Sequence, residues 1–242
     1  MSVVADPHHL SVPPPQLHRR NREPVDTGLP PTHDEHFCVH TRQGQLPLPR
    51  QGAVVAKVGS GSGLCDTHKY RRALLKNSPR HLGVLNLAVE KAGWDRRPPE
   101  GRARGVAVHA AFGSFAAQVA EASVENGRIR VHRVVCAIDC GTVVNPETIA
   151  AQMESGIAFG LSAALYSALH FKDGRVQESN YHDYRVLRLN EMPVVELHIV
   201  PSTEKPGGVG EVAVPHIAPA VANAVARLTG QRLRELPLRL HS

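Results

Sequence analysis

The feature that most limits what this chain can fold into is a change of character near residue 67. Nine of the nineteen prolines fall in residues 1–67. Before about Val54, no apolar residue recurs with a helical or strand period. A stretch without period has no face to bury and cannot offset the entropy of ordering its backbone. Gly59-Ser-Gly-Ser-Gly63 reads as a flexible linker by composition. Six of the fifteen histidines lie in the same region, but their irregular spacing favours a disordered leader over a metal-binding tract. A stretch foreign to the rest, read in another frame, would have the same composition. A packed core is therefore expected only in residues 68–242.

The net charge of +6 and a sequence pI near 9.4 invite a nucleic-acid reading. Aromatic residues make up only 4% of the chain, too few for base-stacking platforms, and no Lys/Arg run exceeds three residues. Cys38, Cys65, Cys136 and Cys140 form no CxxC pair, which argues against structural zinc or a disulfide scaffold. No run of 18 apolar residues exists to span a membrane, and the first residues lack the basic and apolar regions of a secretion signal.

Periodicity begins after Lys69. Ser78-Pro79 marks a helix start, Leu82, Leu85, Ala88 and Val89 share one face, and Gly93 marks the end. Val106–Val124 is β-rich, Glu125-Asn126-Gly127-Arg128 is a two-residue hairpin turn, and Ile129–Ile138 is the returning, centrally placed strand. Asn145-Pro146-Glu147 opens an apolar helix expected to reach about Leu169. Lys172–Arg175 is a turn, Val194–Val200 a strand, and Pro215–Leu228 a small-residue helix stopped by Gly230. This mixture predicts an α+β domain, a mixed sheet with packed helices.

Three segments offer chemistry. Asp139–Pro146 leaves a strand and enters a helix N-terminus, either as an anion-binding end or simply as a well-formed cap with Asn145 and Pro146. Gln152-Met-Glu-Ser-Gly156, with Gly160 one turn on, permits close approach of a ligand or of another helix. Lys205–Pro215 is a glycine-rich loop carrying Glu211 among apolar neighbours, where desolvation would favour a general base. It lacks the Lys-Ser/Thr of a phosphate-binding loop.

Read together, RRALLKNSPRHLGVLNLAVEKAGW, HAAFGSFAAQVAE, VVCAIDCGTVVNP, QMESGIAFGLSAAL, SNYHDYRVLR and GGVGEVAVPHIAPAVANAVARLTGQRLRELPL, in this order, resemble the C-terminal part of a family of subunits. These are the molybdenum-binding subunits of the xanthine oxidase and aldehyde oxidoreductase family. The resemblance implies a molybdopterin cofactor, in its cytosine dinucleotide form, and hydroxylation of an N-heterocycle or an aldehyde with oxygen drawn from water. It implies Glu211 as the catalytic base, Gln152 and Gly210 as cofactor contacts, and iron–sulfur clusters on a separate small partner subunit. No metal-ligating residue of this chain is implied. Two positions depart from the family pattern: Ser155 stands where a second glycine is usual, and Ala110-Ala111 precede FGS where a glutamate is common. A Cβ at Ser155 is expected to crowd the cofactor side of its helix. The family's earlier cofactor-binding segments have no counterpart here, so the alternative expectation is a non-catalytic remnant that binds no cofactor alone.

Overall fold

The computed structural model describes residues 67–240; the leader expected in residues 1–67 lies outside them apart from Thr67, as do Cys38 and Cys65. The elements are α1 (Thr67–Leu74), α2 (Pro79–Lys91), β1 (Arg102–Ala111), β2 (Ser114–Glu125), β3 (Arg128–Asp139) and α3 (Pro146–Leu165). There follow a two-strand ribbon β4 (Phe171–Lys172) and β5 (Arg175–Val176), a 3₁₀ turn (Leu189–Glu191), β6 (Val194–Ile199) and α4 (Val214–Thr229).

The main sheet runs β1-β2-β3-β6, antiparallel except for the parallel β3–β6 pair. It is therefore the mixed sheet of an α+β domain. Both faces are covered. Val106, Val108, Ala117, Val119, Val135 and Ala137 pack with Val84, Leu85, Ala88 and Val89 of α2 on one side. Ala107, Ala116, Ala120, Val134, Cys136 and Ile138 pack with α3 and α4 on the other. Alternate side chains of a strand point to opposite faces, so burial on both faces explains the nearly continuous apolar runs of β2 and β3. Among the described residues no helix is long and apolar enough to cross a membrane.

The α4 side of β1 carries small residues for a geometric reason. A Cβ added at Gly105 would collide with the backbone of Ala220, Asn223 and Ala224 in α4. The helix lies directly on the strand, and Asn223 Nδ2 donates to Val106 O at 3.1 Å. Helix α3 meets α4 in the same way: the Cβ positions of Gly156 and Gly160 are taken by Ala213 and by Val214 and Ile217.

Two boundaries differ from expectation. The β-rich stretch is two strands, reversing at Phe112 and Gly113, both with positive φ (54° and 79°). The Asn126-Gly127 reversal stands as expected, with φ of 52° and 73°. Helix α3 ends at Leu165 rather than near Leu169. There Ser162 O accepts from both Tyr166 N and Ser167 N, while its hydroxyl accepts from Leu187 N at 3.0 Å. A stretch of chain 25 residues further on thus ends the helix, which no local pattern signals.

Candidate functional site

The glycine-rich loop is held in place from three directions. Gly207 N donates to Cys140 O and Gly208 N to Phe112 O, each at 2.8 Å. Thr142 donates through both N and Oγ1 to Glu204 O, at 2.8 and 2.9 Å. The approach is too close for side chains: a Cβ at Gly207 would meet Ser114 Oγ and the Gly113 backbone, and one at Gly208 the Phe112 Cβ. Gly141, at φ +73°, has no room either, because the Lys205 carbonyl occupies its Cβ position. Glycine at 141 is thus required twice, by its backbone conformation and by the crossing loop.

The same strand end is clamped from the opposite side by α2. Arg80 Nε and Nη2 donate to Asp139 Oδ2 and Oδ1, both at 2.7 Å, and its guanidinium lies 4.3 Å from the Phe115 ring centroid. The hydrogen bond from Arg80 holds the Asp139 carboxyl below its ordinary range. Asp139 Oδ1 also accepts from Gly141 N at 3.1 Å. With the Gly141 and Thr142 amides both engaged, the strand end is a turn and a cap rather than an open anion site. Asn145 Oδ1 caps α3 by accepting from Thr148 N at 3.1 Å.

Beneath the loop, the fully buried Gln118 donates from Nε2 to Ala213 O at 3.0 Å, fixing the start of α4 to the middle of β2. Close by, His109 of β1 and His216 of α4 stack with centroids 5.9 Å apart. Burial pushes both imidazoles below their ordinary value, His216 well below it. Burial also pushes the Cys136 thiol up to about 12. Among the described residues no group of three His, Cys, Asp or Glu side chains is arranged to hold a metal ion.

Of the sequence-predicted residues, Glu211 and Gly210 stand at the exposed end of the pinned loop, and Gln152 on the exposed side of α3. The desolvation expected around Glu211 is absent, because its apolar neighbours Val212 and Ala213 turn into the core while its carboxylate faces outward. Gly156 and Gly160 serve helix packing against α4 rather than a ligand. Ser155 is exposed, so its Cβ crowds nothing in this domain. The fold brings the two segments together: Gly156, one turn after Gln152, touches Ala213, two residues after Glu211. A Cβ at Gly210 would meet nothing within 4 Å, and the buried Ser114 hydroxyl beside Gly207 has no hydrogen-bond partner among the described residues. Open backbone, an exposed carboxylate, an exposed amide and an orphaned hydroxyl fit a polar group laid over the loop.

Sequence reasoning missed Arg80, Phe112 and Ser114. Arg80 meets a partner 59 residues away, and only the packing of α2 on the sheet reveals it.

A family model described as molybdopterin cofactor-binding domain matches residues 65–193. The beta chain of isoquinoline 1-oxidoreductase from Brevundimonas diminuta is 38% identical over 72% of this chain and 23% of its own length. A nicotinate dehydrogenase subunit from Pseudomonas putida is 30% identical over 88% of this chain and 21% of its own. The aldehyde oxidoreductase structure from Desulfovibrio desulfuricans aligns at a TM-score of 0.46 and 26% identity, covering 51% of this chain and 14% of that one. The chain thus spans less than a quarter of the length of these relatives.

Proposed function

Because the chain belongs to the molybdopterin cofactor-binding domain family, we propose that residues 68–242 are the C-terminal part of such a domain and supply one wall of its cofactor site. The complete assembly, on this reading, is a molybdenum hydroxylase acting on N-heterocycles or aldehydes. It uses the cytosine dinucleotide form of the cofactor, with a small iron–sulfur subunit as the partner that accepts electrons. The molybdopterin, when bound, supplies the redox chemistry, and the protein orients and tunes it.

The observation that carries the reading is the loop itself. Its glycines 207 and 208 are spent on close contacts with the sheet, while Gly210 and Glu211 are left open at its end. Gly210 lets a ligand approach the backbone, the Glu211 carboxylate accepts a proton, and the Gln152 amide offers both a donor and an acceptor. Water exclusion around Glu211 then has to come from the rest of the assembly, since this chain leaves it exposed.

The test places residues 68–242 in a complete subunit and changes Glu211→Gln, which keeps shape and hydrogen bonding. Turnover is expected to fall on the order of 10²–10⁴-fold, mostly in kcat, with molybdenum content unchanged. Near-normal turnover with molybdenum bound would overturn the assignment. Glu147→Gln and Glu154→Gln, on exposed positions of α3, serve as controls and leave turnover intact. One wall does not hold a cofactor in place, so the 242-residue chain alone is expected to purify without stoichiometric molybdenum and without activity. Metal analysis of the purified chain checks this.

A further inference from the structure

After α4 the chain returns along the far end of α3. Leu233 and Leu238 are buried in the α3–α4 core, and Leu238 N donates to Ala164 O at 2.7 Å. Gln231 N donates to Thr229 Oγ1 at 3.1 Å. Residues of this returning segment line a cavity of about 590 Å³, whose lining includes Arg232, Arg234, Glu235 and Arg239 together with Leu169 and Pro237. Three arginines and one glutamate thus contribute to one lining. Arg232 and Arg239 are exposed, and no carboxylate of the described residues pairs with either.

We propose that this cavity is a binding site for a small ligand carrying an oxyanion, phosphate or carboxylate, separate from the glycine-rich loop. Arg232 and Arg239 adjoin the buried Leu233 and Leu238, which hold both residues beside the concavity, so an anion bound there interacts with both charges. The guanidinium fork matches the oxygens of both phosphate and carboxylate in bidentate pairs. The volume lies inside the roughly 300–1,000 Å³ range of small-molecule sites, and the leucine and proline wall offers an apolar surface to the body of such a ligand. Nothing in this inference depends on the assignment of Glu211.

Calorimetric titration of the 242-residue chain at constant ionic strength, with inorganic pyrophosphate in one arm and citrate in the other, tests it. Saturable binding of at least one is expected, and the arm that binds tells phosphate from carboxylate. The double variant Arg232→Gln/Arg239→Gln is expected to weaken binding about tenfold or more, while Arg128→Gln, on the β2–β3 turn and outside the lining of this cavity, leaves it unchanged. Absence of saturable binding by either anion into the millimolar range overturns the proposal. So does an equal loss in the Arg128 variant, which would reduce the effect to general charge.

Discussion

Two irregular stretches of this domain behave differently. The loop from Ser202 to Ala213 is stitched to residues distant in sequence: Thr142 reaches Glu204, Cys140 reaches Gly207, and Phe112 reaches Gly208. The excursion from Leu169 to Leu189 mostly folds on itself. The Asp183 carboxylate accepts from the backbone of Ser179 and Asn180 at 2.9–3.0 Å, and the Glu178 carboxylate accepts from His170 N at 2.8 Å. Phe171, Tyr181 and Leu189 are 71%, 84% and 94% exposed. A loop whose partners lie on the sheet cannot open without disturbing the sheet, whereas a locally bonded excursion can open alone. Gly210 and Glu211, proposed to face the cofactor, are on the first kind.

The largest expected effect is at the crossing of that loop. Gly141→Ala forces a Cβ into the Lys205 carbonyl at positive φ, and should cost about 3–4 kcal/mol in chemical denaturation. A cost below about 1 kcal/mol would mean that the loop is not pinned there. Next, Arg80→Gln leaves the buried Asp139 carboxylate without its bidentate partner and should cost about 2 kcal/mol. Arg185→Gln, which removes an exposed partner of Glu191 in the excursion, should cost less than about 1 kcal/mol. Comparable losses from the two arginines would erase the contrast.

The pH dependence comes from beneath the pinned loop. His216 is held neutral by burial, with its folded value well below the ordinary 6.5. Its contribution is complete above about 6.5 and is lost as pH falls toward the folded value, because only the unfolded chain takes up the proton. His109 is shifted in the same direction. Melts from about pH 7.5 to 5 should show stability falling, with about 1.4 kcal/mol per pH unit removed from the slope by His216→Leu. An unchanged slope would exclude His216 as its source. The smallest effect is expected in the excursion: Phe171→Ser should shift stability by less than about 0.5 kcal/mol.

Much of this fold was legible locally. The hairpin turn at Asn126-Gly127, the Pro79 and Pro146 helix starts, the Asn145 cap and the Gly230 stop were read from residue chemistry alone, and each stands in the structure. The Phe112-Gly113 reversal was not read, because Phe at positive φ carries no turn signature. The end of α3 at Leu165 was not read either, since Leu187 imposes it from a distance.

For the site, the sequence by itself singled out the residues proposed to carry the chemistry: a glycine-rich loop ending in Gly210-Glu211 and a helix bearing Gln152. Side-chain type and glycine content are local properties that mark these segments, and the family resemblance implies the role of each residue. Only the tertiary structure decided what each glycine is for. Gly156 and Gly160 went to the contact with α4, Gly207 and Gly208 to the sheet, and Gly210 alone in the loop was left open. It also decided that Glu211 faces outward and that Arg80 clamps Asp139. The reason is that close approach and burial belong to pairs of segments. Neither segment of a pair carries in its own sequence the position of the other.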